Sequence, residues 1–139
     1  MEEKVSRILI LGAGLSSAHL IQYLAERATE LKIHLRVGDS HIQMAIDKVG
    51  DSEHASTFQL DAEDPFLLES EIAHADIVIS MLPAFMHPNV AAICLKLFKH
   101  LITPSYVSPE MKAMHAEAKE KGLIFLNETN VVYSGAIHL

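Results

Sequence analysis

The fold is decided by the segment Ile8-Leu-Ile-Leu-Gly-Ala-Gly-Leu-Ser-Ser17. Four consecutive apolar residues that end at a glycine are typical of a buried parallel strand, because helices cover such a strand on both faces. The glycines lead into a stretch whose apolar residues recur at i, i+3, i+4 and i+7, the spacing of one helix face. These apolar residues are Ile21, Leu24, Ala25 and Ala28. The pattern predicts a strand, a tight turn and a helix in succession.

The same alternation continues along the chain. Five further strands are predicted at residues 33–37, 57–60, 76–81, 101–103 and 123–126. Helical spacing separates them, with a proline-led start at Asp64-Pro65 and a capped start at Ser108-Pro109 that runs to Gly122. Strands that alternate with helices form parallel sheets through right-handed crossovers. We therefore predict an α/β fold: a doubly wound six-stranded parallel sheet in a three-layer, Rossmann-type sandwich.

Composition narrows the functional classes. The 139 residues fit one domain. A single cysteine cannot form an internal disulfide or a cysteine-based zinc site, which favours the reducing cytoplasm. The formal charge is −7 and no lysine or arginine cluster is present, which argues against a nucleic-acid partner.

Two other site types are not predicted. Residues 77–95 carry no formal charge and approach the length of a membrane span, but Pro83 and Pro88 interrupt them, so a strand, a turn and a helix explain them better. No two of the nine histidines have the spacing of paired metal ligands. His87 stays open: it follows Pro83 near the expected nicotinamide end, or it simply occupies the turn before a helix.

The glycine loop is the predicted phosphate site of a dinucleotide. Gly12 permits a tight turn, Gly14 lets the backbone approach a pyrophosphate, and the helix that follows offers free N–H groups. Ser17 replaces the third glycine of the usual motif and is small, and both Ser16 and Ser17 carry hydroxyls that can donate to phosphate. A tight turn without function is the alternative, and placement between a strand and a helix favours binding. The predicted site comprises Gly12, Ala13, Gly14, Leu15, Ser16 and Ser17.

Asp39, with Ser40 beside it, comes just after the second predicted strand. An acidic residue there accepts hydrogen bonds from the adenosine ribose and repels a 2′-phosphate, so NAD is favoured over NADP. No arginine follows directly, which points the same way. The alternative is that Asp39 caps the helix that begins near His41.

Ligands of open α/β sheets bind at the carboxyl ends of the strands. Polar or turn-forming residues follow each remaining strand: Asp61, Met81-Leu82-Pro83, Thr103-Pro104-Ser105-Tyr106 and Asn127-Glu128. Each is a plausible ligand, and each could instead cap a helix or satisfy a turn.

Several motifs together resemble the amino-terminal domain of the saccharopine dehydrogenase family, closest to its glutamate-forming branch. The resemblance covers roughly residues 7–128. The motifs are Ile8 to Gly14, Asp76-Ile-Val-Ile-Ser-Met-Leu-Pro83, His87-Pro88, Lys99 to Pro109 and Leu126-Asn-Glu128. The segment Asp76 to Pro83 and the segment Thr103-Pro-Ser-Tyr-Val-Ser-Pro109 are more specific than the glycine loop. In that family this domain binds NAD(P), and a second domain after the sixth strand binds the amino-acid substrate.

The resemblance implies roles for individual residues. Gly12 to Ser17 match the phosphate loop, Asp39 the ribose position and Asp61 the adenine side. Leu82 and Pro83 are expected beneath the cofactor, and Thr103 near the nicotinamide. Ser105 and Tyr106 are expected to face the substrate.

The end of the chain departs from the family pattern. Residues 1–128 form the predicted dinucleotide domain, whereas residues 129–139 resemble the start of a substrate domain that the chain does not continue and lack two aspartates of the family pattern. One hypothesis is therefore the cofactor domain of an oxidoreductase of lysine metabolism, which transfers hydride at a C–N centre once a second domain supplies the substrate site. The other is a stand-alone, non-catalytic dinucleotide-binding domain that forms a homodimer.

Overall fold

The computed structural model of the protein describes residues 4–104 and 108–127. Six parallel strands form one sheet in the order β3-β2-β1-β4-β5-β6. Their bounds are β1 Ser6–Leu11, β2 Ile33–Asp39, β3 Ala55–Gln59, β4 Ile77–Ser80, β5 His100–Ile102 and β6 Phe125–Leu126. This order reverses direction between β1 and β4 and is that of the doubly wound dinucleotide-binding fold. The predicted fold class is confirmed.

Helices connect the strands and cover both faces of the sheet. They are α1 Ala18–Glu26, α2 Ala28–Leu31, α3 Ile42–Val49, α4 Pro65–Ala73, α5 His87–Leu97 and α6 Pro109–Glu120. Two 3₁₀ turns, Leu15–Ser17 and Ala84–Met86, precede α1 and α5. Within the described residues no helix is long and apolar enough to cross a membrane.

The central strand β1 divides the core in two. Leu9 and Leu11 point to the face that α4, α5 and α6 cover, while Ile10 points to the face that α1 and α3 cover. All three side chains are almost fully buried. Successive side chains of a strand point to opposite faces, so an unbroken apolar run is what a strand between two helical layers requires.

The predicted helix starts are confirmed by their caps. The Asp64 carboxylate accepts hydrogen bonds from the N–H groups of Phe66 and Leu67, at 3.0 and 3.1 Å. The Ser108 hydroxyl accepts one from Met111 N–H at 3.1 Å. Each cap satisfies amide groups that have no partner within the helix.

Two sequence predictions were wrong in detail. Ala28 does not continue the first helix: the backbone breaks at Arg27, and the short helix α2 buries Ala28 against the sheet. Asp39 does not follow the second strand but is its last residue, paired in register with Gln59. The strand extends to it because β3 offers a partner, which the local pattern does not reveal.

One aromatic ring of β3 packs against a glycine of the neighbouring strand β2. The Phe58 ring lies directly over Gly38. The guanidinium carbon of Arg36 lies over the same ring, 4.7 Å from its centroid. Arg36 in turn forms a two-pronged ion pair with Glu71 of α4, at 2.6 and 2.9 Å, which raises the pKa of Arg36. The space above Gly38 is therefore filled by Phe58.

We expect Gly38→Ala to lower the free energy of unfolding by about 1–3 kcal/mol, because the added methyl group would overlap the Phe58 ring. In a Phe58→Ala background the same substitution should cost less than half as much. Urea denaturation of the four proteins of this cycle measures both costs. An equal cost in both backgrounds would show that the ring is not the obstacle.

Candidate dinucleotide site

A groove of about 750 Å³ runs along the carboxyl ends of β1, β2, β3 and β4. We call it the carboxyl-edge groove. It is lined by Gly12, Gly14, Asp39, Ser40, Gln59, Leu60, Asp61, Ala62, Glu63, Met81, Leu82, Pro83 and Met86. Of the residues that the sequence predicts, the groove brings together two of the glycine loop and six at strand ends: Gly12, Gly14, Asp39, Ser40, Asp61, Met81, Leu82 and Pro83.

Gly12 is required by the fold itself. Its φ of +102° lies in a region that L-residues rarely adopt, and an added Cβ would lie 3.1 Å from the Met81 carbonyl oxygen. Its N–H donates to the Gly38 carbonyl at 2.7 Å. This turn is tight because β2 and β4 flank it on both sides.

Gly14 differs from Gly12 in both respects. Its φ and ψ, −74° and −172°, suit any residue, and an added Cβ would meet no described atom within 4 Å. Neither backbone strain nor packing against the described residues therefore calls for glycine at this position, and the space beside it belongs to the groove. An open approach to the backbone is what a pyrophosphate needs, so the loop fits a dinucleotide.

The two serines of the loop have different surroundings. Ser17 is fully buried, and its hydroxyl lies 3.1 Å from the Gly12 carbonyl oxygen and 3.0 Å from that of Gly14. The hydroxyl thus bonds within the loop. It does not point outward to a phosphate, which is the arrangement that the sequence also allowed. Leu15 and Ser16 are exposed on the 3₁₀ turn that leads into α1.

Asp39 ties the glycine loop to the next helix. Its Oδ1 accepts a hydrogen bond from Ala13 N–H, and its Oδ2 accepts one from His41 N–H, both at 2.8 Å. His41 is the N-cap residue of α3, so Asp39 supports that helix start without being its cap. Each carboxylate oxygen can accept more than one hydrogen bond, which leaves capacity for ribose hydroxyls.

Gln59 is a groove residue that the sequence analysis missed. Its side-chain amide donates to the Ser40 carbonyl, and its Oε1 accepts from Ile42 N–H at 3.3 Å. It therefore holds the turn after β2 from the neighbouring strand. The only sequence signal for it is its position at the end of a predicted strand.

Asp61 lies on the rim of the groove, exposed, and its Oδ1 accepts from Glu63 N–H at 3.0 Å. With Asp39 and Glu63 it gives the groove three acidic side chains. Among the described residues that line the groove there is no lysine or arginine. The described side chains that line the groove therefore give it a negative charge.

The open question about His87 has a structural answer. His87 lies in the first turn of α5, 2% exposed, and its Nδ1 is 2.9 Å from the hydroxyl of the fully buried Ser80. Burial lowers the pKa of His87, because the charged imidazolium loses hydration there. His87 is therefore a buried neutral side chain behind the groove, not a group on its surface.

Thr103 does not line the groove. It is fully buried at the end of β5, where its hydroxyl accepts from the Asn127 side-chain amide at 2.6 Å. Asn127 Oδ1 in turn lies 2.6 Å from His115 Nε2 of α6, a partner that the sequence did not indicate. Ser105 and Tyr106, predicted to face the substrate, lie outside the described residues, as does Glu128.

The sequence of the chain matches a known domain family. Residues 8–126 match the model of the saccharopine dehydrogenase NADP binding domain. The chain belongs to this family. The resemblance noted from the sequence motifs is thereby confirmed.

Individual members of the family show how far the likeness extends. The chain is 32% identical over 142 residues to the alpha-aminoadipic semialdehyde synthase of Arabidopsis thaliana and 29% identical over 121 residues to a saccharopine dehydrogenase [NADP(+), L-glutamate-forming] of Pyricularia oryzae. These matches cover 90% and 87% of this chain. The structure of saccharopine dehydrogenase (L-Glu forming) from Saccharomyces cerevisiae superimposes on 89% of the chain with a TM-score of 0.77 and 27% identity.

The chain corresponds to only part of these relatives. It spans 13% of the plant synthase, 26% of the Pyricularia dehydrogenase and 27% of the yeast structure. The matched part is the dinucleotide-binding domain of saccharopine dehydrogenase-like oxidoreductases.

We expect the stability of the protein to depend on His87 below about pH 6.5, the ordinary pKa of histidine. Its pKa is lower in the folded state, so the unfolded chain binds the proton more readily, and stability rises with pH through this range. The contribution is complete above pH 6.5 and is lost as the pH falls towards the folded-state pKa.

His87→Asn keeps a group that can bond Ser80 and removes the titration. The difference in unfolding free energy between the two proteins should shrink from pH 7.5 to pH 5 in urea denaturation. His19→Asn, at an exposed histidine of α1, controls for the loss of a histidine as such. A difference that is the same at both pH values would contradict the expectation.

Proposed function

We propose that residues 1–128 form a domain that binds NAD in the carboxyl-edge groove, with the pyrophosphate on the glycine loop and the adenosine ribose on Asp39. The observation that carries this proposal is the open space beside Gly14, next to a carboxylate that is bonded to the same loop. A turn that served only the fold would need Gly12 but not Gly14. Ser16 and Leu15, both exposed at the same helix start, are placed to border the phosphates.

The rest of the groove suits the remaining parts of a dinucleotide. Asp61 is proposed to lie on the adenine side, and Leu82 and Pro83 beneath the cofactor, where Met81 and Met86 add apolar surface. Ser40 would border the ribose beside Asp39. Thr103 is proposed to approach the nicotinamide side, and its hydroxyl accepts a hydrogen bond from the Asn127 side-chain amide.

NAD is the proposed cofactor because of charge. A 2′-phosphate beside Asp39 would face a second and third carboxylate from Asp61 and Glu63, with no cation among the described groove residues to offset them. The family is named for NADP, as are its fungal members, so the two cofactors must be compared directly.

The domain is proposed to serve an oxidoreductase that transfers hydride to or from a carbon bonded to nitrogen, as in the lysine-metabolic relatives. The nicotinamide supplies the hydride chemistry, and this chain positions it. Ser105 and Tyr106 are proposed to face an amino-acid substrate that a second domain would bind. The purified chain should then bind NADH yet produce none from NAD⁺ and saccharopine, as absorbance at 340 nm would show.

The proposed location is the reducing cytoplasm, where the one cysteine, Cys94, would stay the buried free thiol that the structure shows.

A self-associating module is the second candidate, and one surface favours it. Leu15, Phe66 and Phe85 are 91%, 84% and 78% exposed on segments that follow strand ends at the same edge of the sheet. Apolar groups in such a position suit burial by a second copy of the chain.

Sedimentation should show a dimer, and Phe85→Ser should weaken its association. A monomer at all concentrations would contradict self-association and would leave this surface for contact with another domain.

Gly14→Val should separate binding from folding. The side chain fills the space proposed for the pyrophosphate, so we expect at least a tenfold loss of NADH affinity in a fluorescence titration. The free energy of unfolding should change by less than about 0.5 kcal/mol, because the backbone angles and the space around Gly14 accept a side chain.

Ser70→Ala, at an exposed site on α4 outside the groove, is the matched control and should bind NADH as the wild type does. A wild-type protein without affinity for NADH at millimolar concentration would refute the proposal.

Asp39→Asn tests the cofactor preference. The wild type should bind NADH more tightly than NADPH, and the substitution should shift the ratio of the two affinities at least tenfold towards NADPH, because it removes the charge nearest the ribose. The ratio cancels any loss that both cofactors share, such as a weakened bond to Ala13. An unchanged ratio would mean that Asp39 does not select between them.

A further inference from the structure

A buried pair of side chains lies at the two ends of the segment that lines the groove beside the glycine loop. Ser80 ends β4, His87 begins α5, and the Ser80 hydroxyl lies 2.9 Å from His87 Nδ1. Both residues are at most 2% exposed. The segment between them, residues 81–86, supplies Met81, Leu82, Pro83 and Met86 to the groove. The pair therefore joins the two ends of that segment.

The pair is connected to the glycine loop through one residue. Met81 directly follows Ser80, and its N–H donates to the Leu11 carbonyl at 2.8 Å. Its own carbonyl oxygen would lie 3.1 Å from a Cβ added to Gly12, a tight contact that would require one of the two to shift. A displacement of Ser80 would therefore be transmitted to the turn on which the pyrophosphate is proposed to lie.

The segment has few internal restraints of its own. Met86 N–H donates to the Pro83 carbonyl at 2.9 Å and closes the 3₁₀ turn, while Pro83, Ala84 and Phe85 are exposed. Its course depends on where its two ends are held and on the packing of Met81 and Leu82 against the core. The hydrogen bond between the Ser80 hydroxyl and His87 Nδ1 is buried, where the low local dielectric strengthens it, so it holds these two ends closely together.

We propose that His87 is a positioning residue of the dinucleotide site, which through its hydrogen bond with Ser80 fixes residues 81–86 against the glycine loop. The proposal rests on the proposed function for the identity of the ligand. His87 itself is buried and does not line the carboxyl-edge groove.

The methionines of the chain provide the test. With ¹³C-methyl methionine, Met81 and Met86 report on the groove, while Met111 reports on the core between α5 and α6 and Met44 on α3. In the free protein, His87→Leu should move the Met81 and Met86 signals and leave Met44 in place. The same variant should bind NADH at least tenfold more weakly, measured well below its melting temperature.

Cys94→Ala is the matched control, since Cys94 is equally buried on the same helix but belongs to the core that contains Met111. It should move the Met111 signal and leave Met81, Met86 and the NADH affinity within twofold of wild type. Ser80→Ala should reproduce the effect of His87→Leu, and the double variant should lose no more than either single one. His87→Asn should restore part of the affinity.

Two outcomes would count against the proposal. Unmoved Met81 and Met86 signals with wild-type affinity in His87→Leu would overturn it, as would equal losses in Cys94→Ala. If His87→Leu does not fold, then Ser80→Ala and His87→Asn decide by the same signals. A wild type that ignores NADH would overturn the proposed function, and the spectra of the free proteins would still show whether His87 fixes the segment.

Discussion

The arrangement of the site depends on backbone hydrogen bonds that continue the sheet beyond its strands. Gly12 N–H donates to Gly38, Met81 N–H to Leu11 and Leu60 N–H to Asp39, at 2.7 to 2.9 Å. Four strand ends are thereby held in register just where the chain leaves the sheet. Because the glycine loop starts from this row, its position is set by its neighbours on both sides and not by the loop alone.

The two glycines of the loop show how fold and site share a short motif. Gly12 satisfies the geometry of the turn, whereas Gly14 leaves space that the described part of the protein does not use. Asp39 combines both functions in one side chain: its carboxylate holds the loop and the start of α3, and it faces the groove. A substitution at such a position would change the lining of the groove and also the bonds that hold the loop.

The sequence was sufficient for the fold because the deciding signals are local. The apolar run of β1, the cap at Asp64 and the glycine turn each depend on neighbouring residues. The candidate site was predicted from motifs that are local in the same way. Gln59 and the hydrogen-bonded series His115, Asn127 and Thr103 could not be predicted in this manner, because these side chains bond partners that only the folded chain brings near.

The central place of β1 has a consequence for how the protein folds. Its neighbours come from distant parts of the chain: Arg7 bonds Asp76 across 69 residues, and Ala13 bonds Asp39 across 26. Contacts between such distant residues form slowly, because much chain entropy is lost before they stabilise anything. The glycine loop is bonded to Gly38 and Asp39 and lies against Met81, so a ligand that recognises the shape of this loop recognises a chain in which the strands on both sides of β1 are already in place.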